Sequence, residues 1–320
     1  MVSFSRSKTE VRKIIFNEKV LEEALTIGKE HLGEGNVADY IPELKKVDPN
    51  KIAISVIEDD KYINVGDCEQ KFSIQSIIKG ILYSLALENY RMDVLKQYVG
   101  VKPSAKPFNS VIELELSEKS IPINPFINAG AIVVVALLHG IYGDKTFDAI
   151  LKKASEFLAT DLTYSKEIAE SEKASSFANR TLIYLMLSRG ILSKNTNVEE
   201  VLDTYFKACS ILTTTKDLAH MSYCLSNGGK SLNGNRIVTE KEARILRALM
   251  ATCGTYDYSG DFAIRVGLPA KSGVGGGIVT ASEDKYGLAV YSPALDSHGN
   301  SYCGVRMLEY LSEKLKLFIY

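Results

Sequence analysis

The chain has 320 residues, with 38 basic against 39 acidic side chains and a net charge of −1. Hydrophobic residues make up 46% and charged residues 24%, ordinary values for a water-soluble globular protein of one large domain or two intimate ones. No run of basic residues forms a nucleic-acid footprint, and the longest apolar stretch, Ala129 to Leu138, is too short to span a bilayer.

In chain order, the amino-terminal ten residues carry charges where a signal peptide would have its apolar core. Residues 18–32 read as an amphipathic helix, with Ala24, Leu25 and Ile27 at helical spacing before Gly33 and Gly35. Gly33 to Pro49 is a loop containing a helical turn. Lys51 to Glu58 and Lys61 to Val65, joined at Asp59-Asp60, form a hairpin. Ile74 to Leu95 is apolar almost all round and predicts a buried helix, as does Ile127 to Ile141. Helical patterns continue at 147–158, 179–190, 198–212, 215–226 and 239–252. Gly276 to Ser282 and Tyr286 to Ser292 predict paired strands, and Val305 to Phe318 a closing helix. Strands at both ends with helices between them give an α+β layout, whose sheet is built from both termini.

Within this layout, Ser76 lies three residues before Lys79 in an otherwise uncharged apolar run. That spacing puts both side chains on one face. A serine hydroxyl needs a base to become a nucleophile, and a desolvated lysine can be that base. Serine–lysine pairs also occur at Ser5–Lys8 and Ser282–Lys285, both in polar surroundings expected to be exposed. Late in the chain, Lys271-Ser272-Gly273-Val274-Gly275-Gly276-Gly277 reads as a strand edge that a substrate can approach. A phosphate-binding loop would need glycine where Ala270 stands. Early SxxK with late Lys-Ser-Gly is the signature of the penicillin-recognising serine enzymes.

The chain resembles the serine-dependent glutaminases of the β-lactamase-like superfamily. The resemblance rests on Ala38-Asp39-Tyr40-Ile41-Pro42-Glu43-Leu44, the Ser76 segment, Asn124-Pro125-Phe126-Ile127-Asn128-Ala129-Gly130-Ala131-Ile132, Ser171-Glu172, Leu202-Asp203-Thr204-Tyr205, Cys253-Gly254-Thr255-Tyr256-Asp257 and the Lys271 segment, in the family's order. It implies a β-lactamase-like fold: an antiparallel sheet with flanking helices, an inserted helical region, and the site in the cleft between. One domain would then span 1–320, with a sheet subdomain of about 1–70 plus 255–320 and a helical subdomain of about 71–254. It implies hydrolysis of L-glutamine with Ser76 as nucleophile, Lys79 as base, Tyr256 as proton relay and the Val274 N–H in the oxyanion hole. Glu172 would take the α-ammonium. Tyr40, Gln75, Asn128, Asn179 and Tyr205 would complete the pocket, and Lys271, Ser272 and Gly273 would support it, with Lys271 lowering the pKa of Lys79. No cofactor is expected, and the partner is L-glutamine in a homodimer or homotetramer.

The chain departs from the family where Ser176-Phe177-Ala178 replaces the usual Gly-Asp-Arg before Asn179, which bears on how that asparagine is positioned and on contacts between subunits. Two alternatives stand beside the glutaminase reading: a penicillin-binding or β-lactamase enzyme, and a non-catalytic relative that keeps the glutamine pocket. Five scattered cysteines (Cys68, Cys209, Cys224, Cys253, Cys303) fit reduced thiols better than disulfides or zinc. The four histidines (His31, His139, His220, His298) show no metal-ligand spacing and read as satisfied or exposed imidazoles. The expected setting is cytoplasmic, with no membrane or nucleic-acid partner; a trimmed organelle leader is the variant for a eukaryotic source.

Overall fold

The computed structural model describes residues 16–320; the Ser5–Lys8 pair and the amino-terminal ten residues lie outside them. Helix α1 (Glu18–Glu30) starts at Asn17, whose side chain accepts the Val20 N–H. Strands β1 (Ala53–Glu58) and β2 (Lys61–Gly66) pair antiparallel. Their turn places Asp59 (φ 48) and Asp60 (φ 60) in the left-handed region that a two-residue hairpin turn requires. Strand β3 (Phe72–Ser73) pairs with β4 (Leu212–Thr213), which follows the helical region. Strands β5 (Ala270–Ser272), β6 (Gly277–Thr280) and β7 (Gly287–Tyr291) complete the main sheet, in the order β2-β1-β7-β6-β5 and antiparallel throughout. Both faces of β1 and β7 are covered, which is why Ala53–Ile57 and Gly287–Tyr291 are buried throughout and, Ser55 apart, show no polar alternation.

Between the strands lie α2 (Ile78–Asn89), α3 (Met92–Leu95), α4 (Val111–Leu116), α5 (Asn128–Tyr142), α6 (Thr146–Leu158), α7 (Lys166–Ser175), α8 (Phe177–Ser188), α9 (Val198–Cys209), α10 (Thr215–Ser226), α11 (Glu240–Cys253) and α12 (Ser259–Arg265); α13 (Tyr302–Leu315) closes the fold. Helices α1 and α13 cover one face of the sheet around Leu21, Ile54, Val290 and Leu308. Helix α10 covers the other, where Val279 and Ala289 join the larger core of α2, α5, α6 and α9. By composition the 31 residues Asn128–Leu158 could cross a membrane. Gly143 (φ 56) breaks that run, and α5 alone, at 15 residues, falls short of the hydrocarbon thickness and is buried in the core.

The structure corrects several details, among them the helix expected over 198–212, which ends at Cys209 with Leu212 opening β4. Ile74–Leu95 is not one helix: a 3₁₀ turn (Gln75–Ile77) precedes α2, and extended Tyr90 and Arg91 separate α2 from α3. Helix α7 had no counterpart in the sequence pattern. Helix α8 starts at Phe177, two residues early. Ser282 is buried, not exposed; its hydroxyl accepts the Asp284 N–H in a turn, while Lys285 points to solvent.

Gly254, after α11, lies against β5 so closely that a Cβ there would collide with the Ala270 carbonyl oxygen. Gly80, inside α2, would meet nothing nearer than the flexible Met221 methyl at 3.6 Å. Gly254→Ala should therefore destabilise the protein by about 2–4 kcal/mol, whereas Gly80→Ala should be within about 1 kcal/mol of neutral or stabilising. Urea denaturation of the two variants checks this ordering.

Candidate active site

The segment that carries Ser76 is held from two sides. β3 pins it to β4, and the Ile74 N–H continues that pairing onto Ile211 O at 2.8 Å. From the sheet side, the loop after β5 presses in: a Cβ on Gly273 would stand 2.7 Å from Ile74 O and 3.3 Å from Ser76 N, and one on Gly275 would collide with Ser73 O. Only a side-chain-free backbone fits there, the physical reason for glycines at those positions. Squeezed between the two, Gln75 takes φ 49, a strained value for a residue with a side chain. Ser76 follows on the 3₁₀ turn and Lys79 on the first turn of α2, so serine and lysine share a face.

Lys79 is fully buried. Its Nζ donates to Asn128 Oδ1 at 2.7 Å and to Phe126 O at 3.0 Å. Burial pushes its pKa down to about 8, with Glu172 and Cys209 opposing. Lys271 is buried too, donating to Ser272 O at 2.6 Å and Gly254 O at 2.9 Å. Burial drives its pKa well below the usual lysine range, and Lys79 lowers it further. Burial is the largest cause for both amines, and the repulsion between them acts in the same direction.

Tyr256, at φ 62, is the second strained residue. Its phenol donates to Ser272 O at 3.3 Å, and Lys271 Nζ stands 4.3 Å from the ring centroid. Burial lifts the phenol to about 12, against the effect of the neighbouring Ser76 hydroxyl, so it is a proton donor at neutral pH. The Val274 N–H, in the turn after β5, makes no hydrogen bond among the described residues.

A cavity of about 150 Å³ opens onto Ser76. Of the sequence-predicted residues, Tyr40, Gln75, Asn128, Glu172, Asn179, Tyr205 and Val274 line it with Ser76. Lys79, Tyr256, Lys271, Ser272 and Gly273 stand behind its wall. Asn128 opens α5 and is fixed on three sides: Oδ1 accepts from Lys79 and from the Tyr205 hydroxyl at 3.3 Å, and Nδ2 donates to Asn179 Oδ1 at 2.9 Å. Asn179 is positioned without the family's usual charged pair. Arg180 grips the corner instead, donating to Lys173 O and Ser176 Oγ and pairing with Glu199 at 3.2 Å. Tyr40 is half-exposed at the mouth.

The cavity also holds Phe108, Asn109 and Cys209, which sequence reasoning missed. Cys209 lies four residues after Tyr205 on α9, so helical phase could have found it. Phe108 sits in coil with no such signal. Its carbonyl accepts the Asn128 N–H at 2.9 Å and its ring packs 4.8 Å from that of Tyr256.

The family model described as Glutaminase matches residues 35–320. The chain belongs to the glutaminase family. A glutaminase of Clostridium botulinum (strain Hall) is 44% identical over 94% of this chain and 99% of its own length, and one of Clostridioides difficile (strain 630) is 42% identical over 95% and 99%. A probable glutaminase, ybaS, has the same fold, with a TM-score of 0.88 at 32% identity over 95% of this chain and 99% of its own. The Bacillus subtilis glutaminase YbgJ, at a TM-score of 0.84 and 30% identity over 94% and 98%, is solved as a covalent complex with 5-oxo-L-norleucine formed from 6-diazo-5-oxo-L-norleucine. Membership makes the chain an amidohydrolase with the β-lactamase-like fold of its family, and sets the penicillin-binding alternative aside.

Glu172 is the buried carboxyl in the cavity wall. It is buried on α7 and accepts from Gln75 Nε2 at 2.7 Å, and burial raises its pKa to about 7. A raised folded-state pKa means its contribution to stability is fully present below the unfolded value of 4.5 and is lost as pH rises through about 7. Glu172→Gln keeps an acceptor for Gln75 but never ionises. Without ligand, its stability should match wild type near pH 4 and exceed it by on the order of 3 kcal/mol at pH 8; denaturation at both pH values checks this.

Proposed function

We propose that the chain hydrolyses L-glutamine to L-glutamate and ammonia through a γ-acyl-enzyme on Ser76. The observation that carries this reading is the convergence on one cavity of a serine on a strained turn, a buried lysine of lowered pKa one turn later, and a protonated buried tyrosine. A neutral Lys79 has two hydrogens, and Asn128 and Phe126 occupy both, which leaves its lone pair for the Ser76 proton. The freed Oγ attacks the amide carbon. The resulting oxyanion is held by the backbone N–H groups of Ser76 and Val274. Tyr256 gives its proton to the leaving nitrogen, ammonia departs, and the tyrosine regains the proton that Lys79 took. A water then attacks the ester, its proton passing to Lys79 and from there to the departing Ser76 Oγ, which restores the serine and the neutral lysine with release of glutamate.

Glutamine brings an ammonium that converts Glu172 from a liability into half of an ion pair. Asn128, Asn179, Tyr205 and Tyr40 surround the α-carboxylate and amide, and Gln75 holds Glu172 in place. The intact set of reacting groups speaks against a non-catalytic relative. The reading includes a homodimer or homotetramer, supported by Phe177 and Tyr184, both exposed on α8, and a cytoplasmic setting, supported by five buried, unpaired cysteines.

Ser76→Ala should abolish ammonia release while leaving the melting temperature near that of wild type. 6-Diazo-5-oxo-L-norleucine should label the wild-type protein once, on Ser76. A peptide map placing the label on Cys209, the thiol in the same cavity, would overturn the mechanism.

Because the base must be uncharged, kcat/KM should rise with pH and reach half its plateau near pH 8. Asn128→Asp sets a carboxylate where Oδ1 accepts from Nζ at 2.7 Å, which favours the charged lysine. The rising limb should move about one pH unit or more upward. An unmoved limb in this variant would remove Lys79 from the role of base.

A further inference from the structure

Tyr256 is needed in a conformation that its own backbone resists, so something must hold it there. A side-chain-bearing residue at φ 62 persists only where its surroundings fix it. From inside, Lys271 donates to Gly254 O, and the Ser259 hydroxyl donates to Tyr256 O at 2.8 Å. From outside, a loop further along the chain, just before α13, lies across the same turn.

That loop runs from Asp296 to Asn300 and is rigid by its own bonds. Asp296 Oδ1 accepts the N–H groups of His298 and Asn300, each at 2.9 Å, and the Asp296 N–H donates to Asn300 O at 2.8 Å. It reaches the two residues that follow Tyr256. His298 Nδ1 bonds Asp257 Oδ1 at 3.2 Å, and the His298 ring stacks on Tyr258 with centroids 5.0 Å apart and planes 27° from parallel. Between them, Gly299 faces the Tyr256 ring itself, where a Cβ would stand 3.7 Å from Cε2. None of these loop residues lines the Ser76 cavity.

We propose that His298 is a positioning residue for the reaction: its bond to Asp257 and its stack on Tyr258 clamp the 256–258 turn, so that the Tyr256 phenol stays directed at Ser76. His298 touches neither substrate nor reacting atoms; it acts through Tyr256, and the proposal rests on the proton-relay reading of that tyrosine. The pair is only 38% and 27% exposed at its two ends, so it can fix a geometry while contributing little to global stability. Loss of alignment, rather than loss of binding, is the expected defect, and misplacement of a catalytic group by about 1 Å costs up to roughly 100-fold.

His298→Ala should lower kcat by roughly 10- to 100-fold, with KM for glutamine within about threefold and the melting temperature nearly unchanged. His298→Asn, whose amide nitrogen can take the place of Nδ1 toward Asp257, should recover much of the loss. In a Tyr256→Phe background, His298→Ala should cost nothing more, because both act on one group. A wild-type kcat in His298→Ala, or no recovery in His298→Asn, would overturn the clamp while leaving the relay intact. Full activity in Tyr256→Phe alone would instead overturn the relay reading on which the clamp rests.

Discussion

Placing a lysine out of reach of water is the constraint around which this protein is arranged. An ammonium in an apolar interior is costly, and the cost is relieved when the group gives up its proton or finds oriented acceptors. Lys79 does both. Its apolar neighbours on α2 and α5 make the neutral amine accessible near physiological pH, while Asn128 Oδ1 and Phe126 O fix where its hydrogens point. Asn128 can serve only because α5 begins at that residue, with Asn124 Oδ1 accepting the Phe126 and Ile127 N–H groups just ahead of the helix. The long, unusual string around Asn128 is thus the sequence trace of one requirement: an amide held rigidly beside a buried amine.

Backbone strain is the second constraint, and it falls on both sides of Ser76. Gln75 and Tyr256 each take a positive φ, at roughly 1–3 kcal/mol apiece. Each is held by parts of the chain remote in sequence: Gln75 between β4 and the glycines after β5, Tyr256 between Lys271 and the loop before α13. Where charge, strain and burial all oppose folding, the surrounding core must supply the difference, and the continuous apolar packing from α2 through α10 to the sheet does so.

Much of this was legible in the sequence, for identifiable reasons. The hairpin showed because its strands are β-branched and its turn is two aspartates. Helices α10 and α11 showed because their apolar faces are wide, and capping boxes at Thr214/Asp217 and Thr239/Glu242 fix their starts. Ser76, Lys79 and Glu172 came through their residue types and the family strings. What stayed hidden was set by tertiary contact. The kink before α2 follows from Gln75 being pinned on two sides, which no apolar pattern records. Helix α7 buries only Ala169 and Glu172, so it carries too little apolar periodicity to announce itself.

The sheet joins β1 to β7, so that Ala53 pairs with Tyr291 across more than 200 intervening residues. Contacts of such long range form late, after the loop between them has closed. During synthesis the first hairpin and the whole helical region emerge before β5, β6 and β7 exist to receive them. The Ser76 turn leaves the ribosome early, yet the glycine loop that presses on it, the turn bearing Tyr256 and the loop across that turn all lie in the last quarter of the chain. A nascent chain therefore carries the serine and its lysine for most of translation without the means to use them. The cavity around Ser76 is complete only once the two ends have found each other.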